Sequence, residues 1–227
     1  MKSHSKRILN NTISAILAIL IMIVGFFSLV GITFNIVYTP ASIKSYSMWP
    51  TLNEFVKDPY TVGDYAYMNN FAKPSNNDIV IAKVNWYGEE IIKRLVASPG
   101  DTLEIRDETT HYGLYVNENL VYTRDKTDVD VHGGEGGTNE YFESYKTLLQ
   151  STQVSTGTTS AGEKCILLKE DEYFLMGDNW SETLDCMKYG PVSLTNICGK
   201  VDFIIKMGEN KFFEMIKQIL ITTFKIK

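Results

Sequence analysis

The chain has 227 residues, with 22 Lys and Arg against 27 Asp and Glu, a formal net charge of −5 and a pI near 5.3. That acidic balance lacks the broad basic face that phosphate backbones require, so no nucleic-acid partner is expected. Three histidines (His4, His111, His132) are scattered without ligand spacing, and the cysteines (Cys165, Cys186, Cys198) include no C-x-x-C, so neither a metal nor another cofactor is expected.

Residues 1–12 carry Lys2, Lys6 and Arg7, and no charged side chain follows until Lys44. Within that gap residues 13–37 are nearly all apolar or small. As a helix rising about 1.5 Å per residue they would run roughly 37 Å, enough to cross a hydrocarbon core of about 30 Å. The run is longer than the apolar core of a cleavable secretory signal, and no polar face interrupts it as in a soluble helix. A single membrane anchor is therefore predicted, with its lipid bilayer as partner. The basic residues ahead of it put residues 1–12 in the cytoplasm and the remainder on the far side of the cell membrane.

Past the anchor, residues 38–206 read as short strands broken by turn residues: 62–69, 78–84, 91–96, 102–106, 114–117, 120–122, 165–168, 172–176 and 200–206. Residues 124–164 are rich in Gly, Ser and Thr, with a short helical pattern near 141–150. They read as a variable insertion or loop that carries none of the core. No amphipathic helix stands out between 38 and 207, so the fold class is mainly β. Residues 207–227 mix large apolar side chains such as Phe212, Phe213, Ile216 and Leu220 with Lys211, Glu214 and Lys217. This is an amphipathic tail: an interfacial helix, a second anchor or a disordered end. For the thiols, the readings are free buried groups or a Cys186–Cys198 bridge, since an odd count forbids full pairing.

Residues 45–52 read Ser-Tyr-Ser-Met-Trp-Pro-Thr-Leu directly beyond the anchor. A serine hydroxyl such as that of Ser47 attacks a carbonyl only when a base takes its proton, and no histidine is well placed to be that base. Lys93, in the apolar run 91–96, is the candidate substitute. Alternation places it on the face of Ile91 and Leu95, where desolvation would lower its pKa by the several units a base needs. On local sequence alone, a solvated lysine on an edge strand is the competing reading. The third segment of interest, 176–186, reads Met-Gly-Asp-Asn-Trp-Ser-Glu-Thr-Leu-Asp-Cys, and Gly-Asp-Asn by itself is only a turn.

Taken together, these segments resemble the bacterial type I signal peptidases, membrane-bound Ser/Lys endopeptidases. The pattern Ser-x-Ser-Met-x-Pro-Thr-Leu is matched at 45–52, Asp-Ile-Val at 78–80, Lys-Arg and Pro-Gly-Asp at 93–101, Tyr-Val-Asn at 115–117 and Met-Gly-Asp-Asn at 176–179. The resemblance implies a signal-peptidase-like fold of antiparallel sheets and exported preproteins as partners, cut at their N-terminal signal peptides. It implies Ser47 as nucleophile, Lys93 as general base, and an oxyanion hole from the Ser45 hydroxyl and the Ser47 N–H. Thr183 stands where the family usually has a serine bonded to the lysine amine, and Asp178 and Arg94 stand where it has an ion pair. The sequence departs from the family at Trp180 and Met187, both usually arginine, leaving Asp185 without its expected partner. An inert relative serving as assembly factor or chaperone for surface proteins is the alternative. A self-cleaving repressor would share the dyad but carry a DNA-binding domain in place of the anchor.

Overall fold

The computed structural model describes residues 2–60, 63–127 and 137–207, with side chains from residue 11 onward. It divides into two compact units, Met1–Thr39 and Pro40–Lys227. The tail expected over 207–227 lies, beyond Met207, outside the described residues.

The first unit is built on helix α1 (Lys2–Val37), whose stretch Asn11–Val37 is long and apolar enough to cross a membrane. Its 27 residues extend about 40 Å. Two polar side chains in this stretch satisfy themselves on the helix: Thr33 Oγ1 donates to Leu29 O at 2.9 Å, and Asn35 Nδ2 to Gly31 O at 2.8 Å. Such back-bonding lets polar groups sit where no water is present to bond them.

The second unit holds two antiparallel sheets, in keeping with the mainly β class. Strands β1 (Tyr38–Ser42), β2 (Tyr65–Asn69), β3 (Ile79–Lys83) and β4 (Glu90–Ala97) come first, then β5 (Thr102–Asp107), β6 (His111–Val116) and β7 (Asn119–Asp125). Helix α2 (Thr138–Gln150) precedes β8 (Ser155–Thr158), β9 (Lys164–Leu167) and β10 (Phe174–Met176). A one-turn α3 (Cys186–Tyr189) leads on to β11 (Ile197–Ile205). The larger sheet has the order β1-β2-β11-β3-β4-β10 and the smaller β7-β6-β5-β9-β8. The predicted strands therefore form, with ends shifted by a few residues.

The passage from one sheet to the other is the Ser98-Pro99-Gly100-Asp101 turn. Gly100 takes φ +87°, a conformation open to glycine at little cost. Asp101 accepts from Ser98 N (2.8 Å), Asn76 Nδ2 (2.7 Å) and Asn117 Nδ2 (2.7 Å), which ties together three motifs well separated in sequence. Between the sheets lies a core that includes Leu95, Leu103, Ile166, Phe174 and Leu175. Burying each such side chain is worth about 1.5–3 kcal/mol.

One expectation is corrected here, and one open reading is decided. Part of the 124–164 stretch does carry core: Tyr141, Tyr145, Leu148 and Val154 are buried in the main cluster, and β8 pairs along β9. The buried face of α2 runs 138, 141, 145 and 148, an amphipathic period that the surrounding Gly, Ser and Thr content obscured. As for the thiols, all three are free, and Cys198 is exposed while Cys165 and Cys186 are buried. The Cys186–Cys198 bridge does not form.

Candidate active site

The 45–52 segment is held by its apolar members. Met48 and Leu52 are fully buried in a second, smaller core with Ile43, Ala66, Met68, Ile81 and Val201. Trp49 N donates to Tyr46 O (2.8 Å) and Leu52 N to Met48 O (3.0 Å), folding the segment into successive turns around a cis Trp49–Pro50 peptide. Ser47 lies between the buried Tyr46 and Met48, and its carbonyl is pinned by Asn179 N at 3.1 Å.

Lys93 arrives from β4, where burial alternates so that Ile91, Lys93, Leu95 and Ala97 share the inner face. Its ladder partner on β3 is Val80. The expected face is therefore the observed one, and Lys93 is 4 % exposed. Its Nζ is 2.7 Å from Ser47 Oγ and donates to Ile92 O at 3.0 Å. Burial pulls the amine down from its ordinary value to about 8, against the opposing charges of Asp185 and Asp178. An uncharged amine in this position can accept the serine proton through its lone pair and still donate to the Ile92 carbonyl. Ser45 Oγ is 3.1 Å from Ser47 Oγ. Among the described residues, no group accepts from the Ser47 N–H.

Asp178 and Arg94 also meet. Arg94 Nε reaches Oδ1 at 2.8 Å and Nη2 reaches Oδ2 at 2.5 Å, a two-pronged pair to which Thr51 Oγ1 adds a third bond at 2.5 Å. Thr51 belongs to the Ser47 segment and Arg94 adjoins Lys93, so this partly buried pair fastens the two halves of the site together. Around them opens a cleft of about 1090 Å³ lined by Pro40, Ser45, Ser47, Lys93, Trp180 and Thr183, among others.

The sequence profile described as signal peptidase, peptidase S26, matches residues 11–206. This chain belongs to that family. It is 27% identical over 175 residues to thylakoidal processing peptidase 1, chloroplastic, of Arabidopsis thaliana, covering 72% of this chain and 41% of the plant protein. It is 26% identical over 194 residues to signal peptidase IB of Staphylococcus aureus strain COL, covering 83% of this chain and 88% of that one. Signal peptidase I P of Bacillus subtilis subsp. natto is 28% identical over 193 residues, covering 82% and 83%. Among solved structures, a signal peptidase I from Enterococcus faecalis V583 aligns with a TM-score of 0.35 and 23% identity, over 57% of this chain and 97% of that one.

Within this signal peptidase family member, the third segment differs from what the resemblance implies. Thr183 Oγ1 donates to Asp185 Oδ2 at 2.9 Å, and among the described residues the Lys93 amine bonds Ser47 and Ile92 alone. Asp185 is buried, and in place of an arginine it accepts from Gly177 N (2.8 Å), Met187 N (2.9 Å) and the hydroxyl of Tyr141 (2.9 Å). Burial raises its pKa while these donors and the nearby Lys93 work to lower it. Trp180 stacks on Tyr141, with ring centroids 4.9 Å apart and planes at 27°. The backbone carbonyl of Asp178 accepts from Arg124 of β7.

Sequence reasoning also missed Asn53 and Asp64. Asn53 is fully buried at φ 61°, and its Nδ2 donates to Ile43 O (3.1 Å) and Ser45 O (2.8 Å). It trades bonds with Asp64: Asn53 N to Oδ2 and Asp64 N to Asn53 Oδ1, each 2.7 Å. Asparagine tolerates this left-handed backbone better than most residues. Its side chain thereby fixes the carbonyl of Ser45, two residues from Ser47. The only local signal was a turn-prone Asn after an apolar run.

Proposed function

We propose that this chain is a membrane-bound serine endopeptidase that removes N-terminal signal peptides from exported preproteins, with Ser47 as nucleophile and Lys93 as general base. The observation that carries this reading is the 2.7 Å contact between a buried serine hydroxyl and a buried lysine amine in a member of the signal peptidase family. Neutral Lys93 takes the Ser47 proton as Oγ attacks the scissile carbonyl. The C–N bond then breaks and the leaving amine receives the proton from Lys93. Water next attacks the acyl-enzyme, gives a proton to Lys93, and Ser47 regains it as the new N-terminal fragment of the substrate departs. The developing oxyanion has the Ser45 hydroxyl and the Ser47 N–H as its nearest candidate donors.

The substrate is read as an extended peptide with small side chains one and three residues before the cut, lying in the cleft beside edge strand β1, where a strand can be added. Anchor and signal peptide share one bilayer, which confines their encounter to a thin layer. Lys2, Lys6 and Arg7 ahead of the span favour a cytoplasmic N-terminus. In intact cells an added protease should therefore digest residues 38–206; complete protection until the membrane is permeabilised would reverse that orientation.

The decisive experiment is incubation of the full chain in detergent with a panel of exported precursors, followed by N-terminal sequencing of the products. Release of mature chains cut after small residues is expected. Intact precursors across the panel would leave the assembly-factor reading instead.

A further inference from the structure

We propose that Tyr141 is a positioning residue of this site: its hydroxyl holds the buried Asp185 carboxylate, leaving the Lys93 amine free to serve Ser47. The inference rests on the dyad reading above and adds a component from α2, which the sequence treats as an insertion.

Asp185 Oδ2 receives three donors, Gly177 N–H, Thr183 O–H and Tyr141 O–H, and Oδ1 receives Met187 N–H. Two of these are backbone N–H groups, one to each oxygen, and with the two hydroxyls they favour the charged form against the burial that raises its pKa. Among the described residues no Lys or Arg lies within ion-pair distance of it. Asp178, by contrast, shares its charge with Arg94 in the two-pronged bridge. Of the charges that favour the protonated amine at Lys93, that of Asp185 is the largest, followed by Asp178 and then Cys186. The Cys186 thiol on α3 is pushed up by burial and stays neutral. Asp185 is therefore the nearby anion without a cation, balanced by hydrogen bonds alone.

Tyr141 is the one donor of the four that comes from outside residues 177–187. Burial, and then the Asp185 charge, push its own pKa well up, so it keeps its proton and donates throughout the working range. Its ring is buried and stacked on Trp180, which fixes the hydroxyl over Oδ2. Without that hydroxyl, less of the Asp185 charge is taken up by a donor, and more of it favours the protonated amine at Lys93.

The test is the pH dependence of kcat/KM for precursor cleavage by the full chain in detergent. With Tyr141→Phe, the acid limb should move to higher pH by about half to one unit. Cleavage at pH 7 should then fall roughly three- to ten-fold, with the alkaline plateau kept within about two-fold. Substituting 3-fluorotyrosine at position 141, nearly the same shape with a more acidic hydroxyl, should move the limb the opposite way and guards against a folding defect in the first variant. In an Asp185→Asn background, Tyr141→Phe should leave the limb where it is. An unmoved limb in both single variants, or a shift to lower pH with Tyr141→Phe, would overturn the role of Tyr141. A wild-type chain that cleaves no precursor overturns the enzymatic reading itself, so the two failures are distinguishable.

Discussion

Replacing Lys93 with methionine should abolish precursor cleavage and, at the same time, make the protein more stable at neutral pH. The first effect follows from the proposed chemistry: with no base within reach, Ser47 keeps its proton, and a loss of roughly 10⁴-fold or more in kcat is expected. Ser47→Ala should cost about as much, and the double variant little more than either, because groups acting as one unit are not additive. The second effect follows from burial. The folded amine sits at about 8 against an ordinary 10.5, so below pH 8 both folded and unfolded chains carry the proton, and the folded state bears the full cost of a buried cation. That cost is roughly 3 kcal/mol. Between about 8 and 10.5 the unfolded chain binds more protons, so stability rises with pH and the cost fades. Urea unfolding of Ser47→Ala and of Ser47→Ala/Lys93→Met should differ most at pH 7 and converge toward pH 10.5. A constant difference across that range would mean the amine is not desolvated. Wild-type kcat/KM should likewise climb about ten-fold per pH unit below 8 and level off above it.

Gly177→Ala should disable the site through geometry alone. A Cβ built at this position falls 2.2 Å from Thr183 Oγ1 and 2.5 Å from Ser47 O. Rotation can move the Thr183 hydroxyl but not its Cβ, 2.6 Å away, and the Ser47 carbonyl is backbone, already bonded to Asn179 N. The added methyl therefore pushes on the residue that carries the attacking oxygen, and displaces the Gly177 N–H that Asp185 needs. Overpacking of this kind costs about 1–3 kcal/mol, and a displacement near 1 Å at the reacting atoms costs on the order of 10²-fold in rate. Thermal melting and turnover, measured on the same preparation, check both. Turnover within two-fold of wild type, as an order-of-magnitude bound, would show that the 45–52 segment yields freely.

How far the sequence could be read depends on where the information sits. Lys93 was legible because a two-residue period in β4 and an unbroken apolar neighbourhood fix both its face and its desolvation. The long apolar helix α1 was legible because a membrane-spanning segment tolerates few charges over about 20 residues. Arg94 and Asp178 were placed by resemblance, and the structure does bring them together. Thr183 was placed on the lysine by the same route, yet its hydroxyl turns to Asp185, a choice made by packing two residues away. Tyr141 and Asn53 were illegible for a different reason. Their bonds join residues 44 and 8–11 positions apart, and nothing local distinguishes a tyrosine that will meet a carboxylate from one that fills space. For α2 the helical period was present at 138, 141, 145 and 148, but loop-like composition on both sides outweighed it.

The strand order has a consequence for the dyad. Strand β11, formed near the end of the described chain, lies between β2 and β3 and is the ladder that joins them. Until it slots in, β1-β2 and β3-β4-β10 are separate ribbons, with Ser47 attached to the first and Lys93 part of the second. Without residues 197–205 that ladder is missing, and Ser47 and Lys93 are held to one another only by contacts such as Thr51–Asp178–Arg94 and Asn179 N to Ser47 O. Two stretches of the chain, 65–69 and 79–83, are thus stitched together by a third that follows both, so the geometry at Ser47 and Lys93 depends on a strand that carries neither residue.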